Sequence, residues 1–143
     1  MFLILQNYYR ILIRDIVYPK VKKVGIAVEL FGQSDDFWPV HFINLNEFSI
    51  KNVLIVSKGY LINEDTRYET SVFRHFIEKV EPNSSHQFEL LDSKLSHLNH
   101  EFWISFQQEN YLLDRKITFV QGSFNIDLAT NIPIIGKIGV VII

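Results

Sequence analysis

The residues of this chain that could do chemistry fall into three groups: histidines beside a carboxylate, paired acids in turns, and aromatic rings on alternating segments. His97 and His100 are three residues apart, Glu101 follows directly, and His86 stands upstream. Zinc is held by three or four imidazole, carboxylate or thiolate ligands converging at about 2 Å. His86, His97, His100 and Glu101 are therefore the candidate metal set, and an enzymatic reading rests on the same four. On a loop this spacing does not force convergence, so the first reading is polar loop residues, with no cofactor implied. His41 and His75 sit inside segments with apolar neighbours, where a hydrogen-bonded structural role is expected. Imidazole titrates near neutrality, which makes proton transfer the alternative for both.

Asp35-Asp36 and Glu64-Asp65 are adjacent carboxylates. Calcium needs several more oxygens and usually a sharp glycine turn, and no EF-hand spacing follows Gly32. Both pairs read as solvated turns, as does the glycosylation-like triplet Asn83-Ser84-Ser85. Serine nucleophile elbows, phosphate-cradling glycine loops and dinucleotide fingerprints are absent. The aromatics offer more. Trp103 alternates with Phe102 and Ile104 and should point away from the face they share. With Trp38, Tyr60 and Tyr111 it forms the candidate binding set, since exposed rings stack on sugars or anchor a protein partner. The competing reading covers both sheet faces and makes Trp103 core.

These residues must be positioned by strands. Val24, Ile26, Val28 and Leu30 alternate, as do Trp38, Val40 and Phe42, then Phe102, Ile104 and Phe106, then Ile117 and Phe119. A period of two gives each segment one core face and one solvent face. Strands are expected at about 23–31, 37–45, 51–61, 68–80, 86–91, 101–108 and 111–121, separated by turns rich in Gly, Asn, Asp, Ser and Pro. The last two should form a hairpin. Pro39 cannot donate to a ladder, which places the second strand at an edge or starts it later. Leu91, Leu95 and Leu98 suggest a helical turn bridging two sheets. The fold class is all-β: an antiparallel immunoglobulin-like β-sandwich of about seven to eight strands, with an N-terminal helix.

That helix is expected over residues 1–20, as an amphipathic element ahead of a sandwich domain over 21–143. Leu5, Tyr9, Leu12 and Ile16 make its stripe, and Pro19 ends it. Arg10, Arg14 and Asp15 interrupt the apolar run, so it reads neither as a signal peptide nor as a membrane span. From Ile132 to Ile143 the chain is mostly Ile and Val. Free in solution such a tail would aggregate, so burial is expected, as a last strand or across a subunit interface.

Composition narrows the partners. The net charge is −2, from 14 basic and 16 acidic residues, and no basic face is available to neutralise phosphates. Nucleic acid is therefore not expected. The chain has no cysteine, which removes disulfides and thiolate chemistry and fits a cytoplasmic location.

The stretch Leu95-Ser96-His97-Leu98-Asn99-His100-Glu101-Phe102-Trp103-Ile104-Ser105-Phe106 resembles the corner and penultimate strand of immunoglobulin-like or fibronectin-like sandwiches. Phe102 stands in the usual tyrosine slot, without its hydroxyl. More broadly, Phe42-Ile43-Asn44-Leu45, Ser57-Lys58-Gly59-Tyr60, Arg74-His75-Phe76 and Asn131-Ile132-Pro133 make the chain from Phe37 onward similar to a set of short uncharacterised bacterial all-β proteins. Some members of that set carry the label phosphoribosylpyrophosphate synthetase. From the residues themselves the leading expectation is a non-catalytic module for protein–protein contact, self-associating as a homodimer through Phe2–Ile16 and Ile132–Ile143. The alternative is a module binding carbohydrate or a small ligand on exposed aromatics.

Overall fold

A computed structural model describes residues 23–30 and 37–143. The expected helix over 1–20, the apolar surface Phe2–Ile16 and the pair Asp35-Asp36 lie outside these residues. Strands β1 (Val24–Glu29), β2 (Phe37–Asn44), β3 (Ile50–Ile62), β4 (Arg67–Glu69), β5 (Phe73–Val80), β6 (Ser84–Asp92), β7 (Asn99–Gln108), β8 (Tyr111–Phe119), β9 (Thr130–Asn131) and β10 (Ile138–Ile142) follow in order. One sheet runs β6-β2-β1-β10-β9; the other runs β4-β3-β7-β8, with β5 also pairing β3. All pairings are antiparallel. A 3₁₀ turn over Ser93–Leu95 crosses from β6 to β7 and so joins the sheets, as the leucine spacing suggested.

Alternation sorts the side chains into a sandwich. Val24, Ile26, Val28, Val40 and Phe42 of the first sheet meet Val53, Ile55, Phe102, Ile104, Phe106, Ile117 and Phe119 of the second in one core. Phe102 sets its edge against Phe119 at 5.9 Å, a geometry that adds to the gain from burying each ring. Each such side chain contributes about 1.5–3 kcal/mol by burial. Arg115 of β8 ties the layers together, donating from Nη1 to the Val24 carbonyl at 2.6 Å.

Two expectations change, and for the C-terminal tail one of the two expected outcomes is found. The segment read as one strand over 68–80 is broken at residues 70–72. Thr70 Oγ1 accepts from the Gly59 N–H at 2.8 Å and donates to the Ser71 carbonyl at 3.0 Å. A local hydroxyl bond of this kind competes with the ladder. Pro39 does not put β2 at an edge, because β2 lies between β6 and β1. The β1 pairing stops at Val28↔Val40, so no β1 partner faces Pro39. The apolar tail is the strand β10, paired from Ile26↔Ile142 to Glu29↔Gly139. Ile132, beneath Ala27 and Ile43, forms a second small core on the outer face of that sheet.

Candidate functional site

The sheets part between edge strands β5 and β6. Two local irregularities make the gap. The break after Glu69 removes the ladder partner of β3 beside Gly59, and a register shift in β6 lies opposite Val40/His41. Across the shift Val40 pairs with Glu89 and His41 with Gln87, which leaves Phe88 as the extra residue. A bulge re-aims side chains. Here it lets two consecutive residues turn inward. Phe88 packs on the core with its ring 6.1 Å from Phe102, and Glu89 reaches Ser57 of the opposite sheet.

The result is a cavity of about 200 Å³, lined by Ser57, Gly59, Glu89, Leu91, His100 and Phe102 among others. Phe37 and Phe73 also line it and are more than half exposed. An open groove of about 450 Å³ adjoins it and shares Phe73, Glu89 and Leu90. At the junction Ser57 Oγ donates to Glu89 Oε1 at 2.5 Å, and His75 Nε2 donates to the same oxygen at 2.9 Å. The imidazole in turn packs edge-on against Phe88 at 5.2 Å. The order is hydroxyl, carboxylate, imidazole. No hydrogen bond joins His75 to the Ser57 hydroxyl, so the arrangement lacks the nucleophile–imidazole bond of a hydrolase triad. It holds a carboxylate in one place.

His100 closes the inner end. Its Nε2 donates to the Leu95 carbonyl at 2.7 Å, and its ring meets Phe124 at 5.4 Å. Burial lowers its pKa, against the opposing pull of the Leu95 carbonyl, so the ring is favoured neutral. Lys58 also lines the cavity, but its ammonium lies 3.7 Å from Glu69 and 3.8 Å from Glu101 on the outer face.

The residues singled out from sequence are not gathered into one site. Successive strand residues point to opposite faces. His100 therefore faces inward while Glu101 faces outward, 2.6 Å from Lys116. His97 donates from Nδ1 to the Lys94 carbonyl, and His86 is exposed on β6. No group of three His, Asp or Glu residues among those described is arranged to hold a metal. Trp38 is core rather than platform, 7% exposed and tilted against Phe124 at 6.0 Å. Trp103 is 51% exposed on the outer face, with Lys116 Nζ 5.7 Å from its ring centre. Tyr60 is half-buried and Tyr111 exposed, and neither lines the cavity. His41 pairs with Glu29 at 3.1 Å on the outer side of the first sheet.

No protein-family model, curated protein or solved structure matches the chain. Function must therefore be argued from the geometry. Ser57 and Glu89 were invisible from sequence because the bulge that brings them together leaves no turn residue to mark it. No helix among the described residues is long and apolar enough to cross a membrane.

Proposed function

We propose that this protein is a non-catalytic module of the immunoglobulin-like sandwich class that binds a small ligand in the cleft between β5 and β6. The observation that carries the reading is Glu89, held by Ser57 and His75 where a largely apolar cavity meets the adjoining groove. Small-molecule sites typically combine apolar walls with a few fixed polar groups. The class assignment is supported by strand order. With β1, β2, β3, β6, β7 and β8 taken as strands A, B, C, E, F and G, the two layers become E-B-A and C-F-G, with β5 beside C. The lining presents Glu89 and Asp92, and its lysine is held by outer-face acids. That is the wrong polarity for the diphosphate chemistry of a phosphoribosylpyrophosphate synthetase.

A fragment screen followed by amide NMR tests this reading. Binders should shift Ser57, Gly59, Glu89 and Phe102, and Phe73→Ala should weaken them without unfolding the protein. Binders that all map elsewhere, or a screen with none, would reject the cleft.

A second reading, a homodimer, is favoured by β10. Beyond Gly139 its outer edge has no strand beside it among the described residues, and Val140–Ile143 has no charged side chain. Antiparallel pairing with the same edge of a second copy would satisfy both sets of backbone groups about a two-fold axis. Light scattering at high concentration should then give twice the chain mass, and a clean monomer would end this reading. The cytoplasmic setting suggested by the cysteine-free composition belongs with these proposals.

A further inference from the structure

The polarity of the cleft specifies its ligand further. We infer that it takes a small amphipathic amine, with the ammonium on Glu89 and the apolar body between Phe73, Leu90 and Phe102. This inference rests on the ligand-binding reading of the same cleft.

Three observations converge. First, Glu89 spends only one oxygen on the protein. Oε1 receives both Ser57 and His75, while Oε2 has no hydrogen-bond partner among the described residues. The side chain is 14% exposed, and Glu89 lines both the cavity and the groove. A carboxylate oxygen at the meeting point of two hollows can only accept a hydrogen bond, so the ligand must donate.

Second, the balance of charge around the recess is negative. Asp92 lies on the same wall, its Oδ1 accepting from the Lys94 N–H at 3.0 Å. The basic groups nearby are spent or silent. The Lys58 ammonium sits between Glu69 and Glu101, and burial favours the uncharged form of His100. His75 is the one basic side chain that bonds Glu89 among the described residues, and it faces the shared Oε1. An anionic ligand would meet two carboxylates across low-dielectric walls. A cation would complete the site.

Third, the remaining lining fits a compact apolar body. Phe37, Phe73, Leu90, Leu91, Leu95 and Phe102 supply it. At about 200 Å³ the enclosed part is below the usual range for drug-sized ligands, which is roughly 300–1,000 Å³. The ligand is therefore small, one ring or a short branched chain, with any remainder in the adjoining groove. A hydrogen bond from an ammonium is stronger than one from a hydroxyl, because the charge assists it.

The test uses the intact protein and three probes of similar size: phenethylamine, phenethyl alcohol and phenylacetate. Titration calorimetry, with amide NMR to locate each probe, gives the readout. Phenethylamine should bind at least about tenfold tighter than the alcohol, the ratio expected when a charged donor replaces a neutral one. Phenylacetate should be the weakest. Glu89→Gln should remove the amine's advantage over the alcohol, both measured on the same variant. Should that variant fail to fold, the unmodified protein decides. Phenethylamine must then shift the amides of Ser57, Glu89 and Leu90, and shifts confined to other strands would overturn the assignment. Equal binding of all three probes in the cleft, or a preference for phenylacetate, would overturn the amine while leaving a ligand site. Binding of none, with no fragment found in the cleft either, would remove the cleft reading and this inference together.

Discussion

Gly139 offers the most demanding check on the architecture that creates the cleft. It lies in β10, opposite Glu29 of β1, and its φ is not positive. On local grounds Gly139→Ala should stabilise the protein by about 0.4–1 kcal/mol, because alanine restricts the unfolded chain. The tertiary structure reverses the sign. A Cβ at this position would lie 2.1 Å from the Val28 carbonyl oxygen and 2.6 Å from Ile132 Cδ1. Carbon and a carbonyl oxygen approach comfortably only to about 3.3 Å. The strands would have to part by roughly 1 Å against a spacing of about 4.8 Å. Loss of about two ladder hydrogen bonds, near 1 kcal/mol each, adds to an overpacking cost of about 1–3 kcal/mol. The expected destabilisation is about 3–5 kcal/mol, a large share of a typical total of 5–15 kcal/mol. Urea unfolding followed by circular dichroism reads it as a lower midpoint, by about 1–3 M for a usual slope. Gly122→Ala is the control. It has open space around the new Cβ but a φ of 90°, so only backbone strain applies, at about 1–2 kcal/mol. A Gly139→Ala variant as stable as the parent would refute the β1–β10 register, and with it the placement of the C-terminal strand.

Other outcomes follow from the same structure. His100 has a pKa lowered by burial, so the folded state binds fewer protons than the unfolded one below the ordinary value of about 6.5. Stability from its neutral form is present above that value and is lost as pH falls from there toward the lowered one. His100→Gln, which keeps a donor for Leu95, should show a flatter loss as pH falls below about 6.5, and identical slopes would exclude the effect. Ser57→Ala removes a buried donor to Glu89 and should cost about 1.5–3 kcal/mol by thermal or urea unfolding; a neutral result would deny the Ser57–Glu89 bond. The two tryptophans should separate in quenching experiments. Iodide should reach Trp103, beside Lys116, and spare Trp38, and Trp103→Phe should abolish the accessible component. Arg115→Met should cost about 1–2 kcal/mol through the loss of its bond to Val24 across the layers, with little change in the β content seen by circular dichroism.

Much of the scaffold was legible in the amino-acid sequence, since parity is a local property. Alternation from Val24 to Leu30 and from Phe102 to Phe106 located strands whose apolar residues do meet in one core. The last two alternating segments were expected to form a hairpin, and they do, with Gln108 paired to Tyr111 and Glu109 taking a positive φ between them. The Ile- and Val-rich run after Ile132, in which Lys137 is the one charged side chain, implied burial. The same parity placed Trp103 on the face opposite Phe102, where the structure has it half exposed.

Tertiary structure alone decided the cleft. No residue type announces that Phe88 and Glu89 both turn inward, because a bulge is defined by its partner strand, here β2. The clamp of Thr70 on Gly59 joins residues eleven apart and breaks a segment whose pattern reads as continuous. Ser57 and His75 converge on one carboxylate from β3 and β5, whereas His86, His97 and His100, close in sequence, are dispersed by strand direction and backbone bonds. Local spacing fixes which way a side chain faces. Which side chains meet depends on register between strands far apart in the chain, and that is set by packing the whole core at once.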